Sequence, residues 1–252
     1  MKRGWLAIVL VLGSIPPSRA QQQSALEHVP PDPPQSRVHA MPYGDMAEMM
    51  GMDDRRLFGK VMADRLEWQD SGGDSRFAWD ASAWYGGDFD KLWIESEGER
   101  SAGGTEDSRT ELAWDRIVSA WWNLRLGVRH DAGIGPTRDW ASFGVAGLAP
   151  GFFELEAAVY VGEEGRTALR LAGHKDFLLT QRLVLQPEAE LAAYGRDDPE
   201  RQIDAGVSDL KLGLRLRYEI RREFAPYIGV RWSVAGESDG EFVWLAGVRA
   251  WF

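Results

Sequence analysis

LKLGLRLRYEI, residues 210–220, alternates between two kinds of side chain at every second position. Its even-numbered positions are Leu, Leu, Leu, Leu, Tyr and Ile, whereas its odd-numbered positions are Lys, Gly, Arg, Arg and Glu. Because side chains alternate between the two faces of a strand, and a helix would mix both sets on every face, this stretch predicts a half-apolar β-strand. The alternation recurs in residues 123–131, 152–161 and 182–193, where Pro187 is tolerable at a bulge. The fold class indicated is all-β.

The same pattern predicts twelve strands between residue 57 and the C terminus. They are residues 57–69, 75–86, 89–97, 108–118, 121–132, 139–148, 152–162, 165–175, 180–194, 207–221, 226–235 and 241–252. Polar and often long connections, such as 97–109 and 195–206, alternate with tight ones, such as 149–151. Outer-membrane barrels have short turns on one side and longer loops on the other, whereas a soluble β-sandwich has no reason for this alternation. The sequence therefore predicts a transmembrane antiparallel up-and-down β-barrel of about 12 strands.

The last twelve residues, EFVWLAGVRAWF (241–252), carry an apolar face that ends at the C-terminal Phe252. This pattern resembles the signal by which outer-membrane barrels engage their assembly machinery, so that machinery and outer-membrane lipid are expected partners. Aromatic residues, among them Trp68, Phe77 and Trp121, lie close to predicted strand ends. Rings in these positions suit the two interfacial girdles of a membrane barrel.

The N terminus, MKRGWLAIVLVLGSIPPSRA (residues 1–20), has a basic start, a short apolar run and small residues before a cleavage site. These features predict a secretory signal peptide. Residues 21–56 begin with a glutamine run and a proline-rich stretch and lack the aliphatic residues that build a core, so they predict a flexible periplasmic arm. The predicted domains are thus a signal peptide (1–20), an arm (21–56) and an outer-membrane barrel (57–252).

Charge and cysteine content exclude several classes of function. Without its signal peptide the chain has 26 basic and 39 acidic residues, which argues against a nucleic-acid partner. It has no cysteine, and therefore no disulfide framework, although it is expected to leave the cytoplasm. GESDG (236–240) has the G-x-S-x-G spacing, but it is a polar connection between two predicted strands and not a strand-to-helix nucleophile elbow, so we do not expect an enzyme.

Methionine is concentrated in MPYGDMAEMMGM, residues 41–52 of the arm. Thioether sulfur is a soft ligand that selects Cu(I), and a nearby imidazole suits either oxidation state of copper. The candidate copper ligands are Met41, Met46, Met49, Met50, Met52, His28 and His39. The competing interpretation is a packing stripe, because Met46, Met49 and Met50 have the i, i+3, i+4 spacing of an amphipathic helix. Gly44 and Gly51 are expected to break such a helix on both sides.

Two histidines and many charges belong to the predicted barrel. By strand parity His174 shares the inward face with Arg166 and Arg170, and His130 continues an outward row. His174 is a candidate metal ligand, whereas His130 is expected to be an interface residue. The inward faces carry both signs of charge, which predicts a salt-bridge lattice or a selective conduit.

Several long blocks resemble the copper resistance protein B family. They are WQDSGGDSRFAWDASAWYGGDFDKLWIESEGE (68–99), LGVRHDAG (126–133), GLAPGFFELEAAVYVGEEGR (147–166), DFLLTQRLVLQPEAEL (176–191) and LGLRLRYEIRREFAPYIGVRW (212–232). The resemblance implies an outer-membrane β-barrel of Gram-negative bacteria that works beside periplasmic copper-binding or copper-oxidising proteins. It also implies an N-terminal Met- and His-containing region that binds copper.

The resulting hypothesis is an outer-membrane copper-resistance protein. Its arm would capture copper, with Cu(I) favoured, and its barrel would sequester the ion at the membrane or transfer it across. The alternative is a general structural or pore protein of the outer membrane whose methionine-rich arm docks a partner protein.

Overall fold

The computed structural model describes residues 43–50, 56–236 and 240–252. The predicted signal peptide and most of the predicted arm lie outside these residues, as do Met41, Met52, His28 and His39. None of the helices in the described part of the chain is long and apolar enough to cross a membrane. The described residues fall into two units, one within residues 1–53 and one within residues 54–252.

In the first unit, a short helix, α1, spans Tyr43–Met49. The amide of Met50 continues it by donating to the carbonyl of Met46 at 2.9 Å. The expectation that Gly44 would break this helix was wrong. Gly44 lies in the first turn, where backbone N–H groups have no intrahelical partner in any case, so a glycine there costs the helix little.

The second unit is a β-barrel. Its strand segments are β1 (Phe58–Asp70), β2 (Ser75–Gly86), β3 (Asp90–Ser101), β4 (Gly104–Ile117), β5 (Trp122–Gly133), β6 (Arg138–Ala149), β7 (Phe153–Gly162), β8 (Thr167–His174), β9 (Phe177–Leu178), β10 (Leu183–Tyr194), β11 (Gly206–Tyr218), β12 (Phe224–Ala235) and β13 (Glu241–Trp251). Two one-turn 3-10 helices occur in its connections, Glu163–Gly165 and Pro199–Arg201. Segments β8 and β9 pair with different parts of β10 and together fill one strand place in the ring. The thirteen segments therefore make a barrel of twelve strands, as predicted.

All strand pairs are antiparallel, and β1 pairs with β13 from Met62↔Trp251 to Asp70↔Trp244. This last pairing closes the ring, so that each long strand of the described residues pairs with a neighbour on both sides, whereas the two-residue segment β9 pairs with β10 alone. Pro187 in β10 faces the gap between β8 and β9. There the amide of Lys175 donates to the carbonyl of Pro187 at 3.2 Å, but proline has no N–H to return the bond. The predicted irregularity at Pro187 therefore appears as a break in the facing strand.

The prediction of a long polar connection at 97–109 was wrong. Strands β3 and β4 extend to Ser101 and from Gly104, and only two residues separate them. The polar residues of this stretch belong to strands, and Glu97 and Glu99 make ion pairs with arginines inside the barrel. The long connection that remains is 195–205, between β10 and β11.

The two faces of the barrel wall have opposite chemistry. Outward positions expose large apolar side chains on the long strands other than β10, for example Val128, Phe143, Val159 and Trp244. Inward positions bury polar and charged groups: Glu67, Gln69, Arg109, Asp115, Arg129, Asp131, Arg170, Arg215, Arg217 and Arg231. A closed sheet with an apolar outer surface and a polar interior is the architecture of a transmembrane β-barrel.

Candidate functional site

The described part of the predicted copper segment is helix α1 and the residue that follows it. Met46, Met49 and Met50 share one face of this turn of helix, and their exposed fractions are 37%, 71% and 61%. Methionine side chains in a packed core are buried, so Met49 and Met50 are not core residues. The structure thus brings three of the seven candidate ligands together, and the other four lie outside the described residues.

Ion pairs cross the interior of the barrel at about mid-height. Arg170 of β8 contacts Glu97 at 3.3 Å, Glu156 at 3.2 Å and Glu190 at 2.8 Å. Because Glu97 belongs to β3, five strand positions away in a ring of twelve, this pair joins opposite walls. Arg109 of β4 adds a second contact to Glu97 at 2.8 Å.

A second group of ion pairs continues this layer. Arg215 of β11 meets Glu67 of β1 at 3.1 Å and also contacts Glu188. The Glu67 carboxylate accepts further hydrogen bonds from the Tyr227 hydroxyl and the Gln69 amide, both at 2.9 Å. Arg215 and Glu67 are almost fully buried, with side-chain exposures of 2% and 1%. We call the whole layer the waist belt: Arg65, Arg109, Arg170, Arg215, Glu67, Glu97, Glu188 and Glu190.

Cavities lined by described residues lie toward both ends of the interior. The turn-side vestibule, of about 530 Å³, opens toward the short connection 118–121, and its lining includes Trp93, Arg125 and His174. The loop-side cavity, of about 310 Å³, has a lining that includes Glu99, Lys211 and Arg231. Members of the waist belt contribute to the lining of both cavities and therefore stand between them.

Three carboxylates come together beside the waist belt. Oxygens of Asp80, Glu95 and Glu97 lie within 4.8 Å of one another, a spacing that could hold a cation. Guanidinium groups already approach this cluster, however. Arg65 donates to Asp80 at 2.6 Å, and Arg109 lies 3.7 Å from Glu95. These three carboxylates therefore neutralise the charges of neighbouring arginines.

In the turn-side vestibule, His174 lies opposite Glu154 of the neighbouring strand β7. Its Nε2 atom is 3.4 Å from a Glu154 carboxylate oxygen, and the side-chain exposures are 39% and 65%. The predicted inward placement of His174 is confirmed. The sequence did not reveal Glu154 as its partner, because strand pairing brings together two residues twenty positions apart.

His130 makes a similar pair on the other face of the wall. Its Nδ1 atom lies 2.7 Å from Asp139 of β6, and both side chains are exposed, at 51% and 71%. The predicted outward placement of His130 is confirmed as well. The part of the barrel that the structure describes therefore carries two histidine–carboxylate pairs, one inside and one outside.

At the loop-side end of the barrel, the connection 195–205 folds onto its neighbours. Asp198 is buried and accepts hydrogen bonds from Arg138 of β6 at 2.9 and 3.2 Å. These bonds hold the pKa of Asp198 below its usual value, because they stabilise the charged carboxylate. Arg201 donates to the carbonyl of Pro136 at 2.8 Å. The connection is thus tied to the loop between β5 and β6.

Comparisons with known proteins point in one direction. The sequence profile of the family described as "Copper resistance protein B precursor (CopB)" matches residues 57–252. The chain is similar to "Copper resistance protein B" of Escherichia coli, with 48% identity over 203 residues that cover 76% of this chain and 69% of that protein. It is also similar to "Copper resistance protein B homolog" of Pseudomonas syringae pv. tomato (strain ATCC BAA-871 / DC3000), with 42% identity over 210 residues, or 79% and 71% of the two chains.

A solved structure supports the fold independently. The NanC porin matches with a TM-score of 0.51 and 13% sequence identity, covering 77% of this chain and 99% of that one. At this identity the likeness concerns the barrel fold alone.

Proposed function

Since the chain belongs to the copper resistance protein B family, we propose that it binds copper ions through its Met- and His-containing N-terminal segment. The barrel then holds the ions at the outer membrane or passes them across it. The proposal assigns no catalytic step to the barrel.

One observation carries this proposal, namely the three thioethers on one helical face at Met46, Met49 and Met50. An exposed methionine side chain does not gain the favourable free energy of burial. Its exposure is therefore better explained by a role of the sulfur as a ligand. Soft thioether ligands select Cu(I) over the harder divalent metals, and copper is the metal in the names of the similar proteins. The described geometry therefore supports Cu(I) as the ion that this segment takes.

The waist belt supports a holding role for the barrel. Ion pairs such as Arg170–Glu97 join opposite walls of the interior, so a hydrated ion would have to displace them in order to pass. A barrel of this kind is suited to position a copper-binding segment at the membrane and to limit free flow through the lumen.

A Cu(I) titration of the full-length protein in detergent tests the proposal. We expect Met46→Leu, Met49→Leu and Met50→Leu, combined, to weaken Cu(I) binding at least tenfold in competition with a chromogenic chelator. Met62→Leu, in strand β1, is the control that removes a thioether outside the segment and should have no effect. Equal binding by the triple variant and the wild type would overturn the proposal and favour partner docking by the arm.

A survival assay tests the same proposal in the cell. A null strain is complemented with the full-length protein or with a form lacking residues 24–56, and growth is measured against copper concentration. We expect the shortened form to give little protection although it still reaches the outer membrane. Full protection by the shortened form would show that the arm is not the working part.

A further inference from the structure

We propose that His174 and Glu154 form a second copper site, specific for Cu(II), inside the turn-side vestibule of the barrel. The inference rests on the proposed function, because it takes copper to be the ion that the protein handles. It differs from that function in the location of the site, in its ligands and in the oxidation state of the metal.

Strand register places the two side chains together. Glu154 of β7 and Glu188 of β10 are the direct partners of His174 of β8, so a carboxylate-bearing residue flanks the imidazole on both sides. Residues directly opposite each other on one face of a sheet have Cβ atoms about 4.5–5.5 Å apart. Glu188 contacts Arg215 of the waist belt, whereas Glu154 lies 3.4 Å from the His174 ring. The imidazole and one carboxylate are therefore preassembled as a pair.

The arginines around this pair are neutralised by other groups. Arg217 lies 2.6 Å from Asp176, and Arg249 lies 3.0 Å from Asp64. Among the described residues, the ion pair of Glu154 is the one with His174. Its carboxylate thus retains lone pairs that no guanidinium occupies, which distinguishes it from the carboxylates of the waist belt.

The pair is also accessible to an ion. His174 and Glu154 both remain partly exposed on the wall of a cavity of about 530 Å³. A Cu(II) ion that enters the vestibule could bind a ring nitrogen of His174 and a carboxylate oxygen of Glu154 and keep water as its remaining ligands. No rearrangement of the waist belt is needed for this.

The ligand chemistry selects the metal. Imidazole nitrogen with carboxylate oxygen is a borderline-to-hard donor set, and the affinity of such sites for divalent first-row metals peaks at Cu(II). The thioethers of the N-terminal segment favour Cu(I) instead. The two sites would therefore serve different oxidation states of the same cargo.

The competing explanation is that His174–Glu154 is only one more ion pair of the lumen. The outward pair His130–Asp139 provides a matched control, because it combines the same donor types at 2.7 Å on the outside of the wall. A general affinity of histidine–carboxylate pairs for copper would appear at both places. A built vestibule site would appear at His174 alone.

The experiment uses the full-length protein in detergent, purified without a polyhistidine tag, with the N-terminal ligands silenced. The silencing replacements are Met41→Leu, Met46→Leu, Met49→Leu, Met50→Leu, Met52→Leu, His28→Gln and His39→Gln. Cu(II) is added, and binding is followed by calorimetry and by the nitrogen hyperfine structure of the copper EPR spectrum. We expect one Cu(II) ion with nitrogen coordination in this background.

Single replacements then locate the site. We expect His174→Gln to lower the Cu(II) affinity at least tenfold and to abolish the nitrogen hyperfine structure, and Glu154→Gln to weaken binding several-fold. His130→Gln should leave both signals unchanged. An unchanged spectrum in His174→Gln, or its loss in His130→Gln, would overturn the inference. Heat-modifiable migration on gels confirms that each variant is a folded barrel, and Glu154→Gln decides the matter if His174→Gln does not fold.

The two proposals can fail separately. The Met-to-Leu replacements change Cu(I) binding at the N-terminal segment, whereas His174→Gln changes Cu(II) binding in the vestibule. If only the Met-to-Leu replacements leave binding unchanged, the proposed function is refuted. If only His174→Gln leaves binding unchanged, the vestibule site alone is refuted.

Discussion

The waist belt and the turn-side vestibule are built from the same kinds of charged residue, yet they differ in what those charges can do. At the waist, Arg215 and Glu67 come from different parts of the ring and bury each other almost completely. In the vestibule, Glu154 has a histidine as its ion-pair partner and stays largely exposed. A lumenal carboxylate thus remains available to a cation where no arginine reaches it across the barrel.

The largest effect is expected from breaking the waist. Arg215→Ala leaves the Glu67 carboxylate buried without its guanidinium, and removing one partner of a buried pair costs about 3–5 kcal/mol. Arg249→Ala is the matched control, because its pair with Asp64 is about a third exposed and such pairs contribute about 0–1 kcal/mol. Urea unfolding in lipid vesicles measures both variants. A smaller loss of stability in Arg215→Ala than in Arg249→Ala would contradict the ranking of the two regions.

A second experiment asks whether the waist belt obstructs the lumen. Combining Arg170→Ala with Glu97→Ala removes both charges of a pair that joins opposite walls. Neither member of this pair is then left in the lumen without the other. We expect the single-channel conductance in planar bilayers to rise several-fold over that of the wild type. Glu154→Ala removes a vestibule carboxylate without touching the waist and should leave conductance unchanged. Equal conductance in all three proteins would mean that the cross-lumen pairs are not the barrier.

The vestibule pair should matter little for stability. Both His174 and Glu154 are more than a third exposed, so water screens their attraction, and Glu154→Gln should change the free energy of unfolding by less than about 1 kcal/mol. Urea unfolding in vesicles, without copper, is again the measurement. A loss comparable to that of Arg215→Ala would show that the vestibule is a structural region like the waist.

The sequence predicted the barrel well, because alternation in stretches such as 210–220 reports directly which face of a strand meets lipid. The same rule placed His174 inside and His130 outside. It failed at 97–109, where charged residues resemble a loop in sequence but form lumenal strand faces. A polar run is ambiguous whenever the inside of a fold is itself polar.

The candidate sites were less predictable than the fold. Parity gives the face of a residue but not its height or its neighbours, so neither the Glu154 partner of His174 nor the Arg170–Glu97 contact could be read from the chain. Both depend on strand register and on the curvature of a closed sheet. Gly44 shows a local limit, since a glycine in the first turn of a helix does not prevent that helix.

The smallest effect concerns a charge pair outside the waist and the vestibule, at the connection 195–205. Arg138 holds the pKa of Asp198 below its usual value, so the contact stabilises this connection at pH values above the ordinary pKa of an aspartate. That stabilisation is lost as the pH falls through the lowered pKa, where the carboxylate takes up a proton. The Arg138–Asp198 pair should therefore stay intact at neutral pH, as the ion pairs of the waist belt do, and should break only in strong acid.

The absence of natural cysteine allows a single spin label to be placed at Arg196→Cys. We expect the label to be immobile at neutral pH and to gain mobility only below about pH 4, near the unperturbed aspartate value. Adding Asp198→Asn should make it mobile at neutral pH and remove most of the pH dependence. Mobility that rises near pH 6 in the wild type would contradict the lowered pKa. Mobility that is identical in both proteins would show that packing of Arg201 on Pro136 holds the connection without the charge pair.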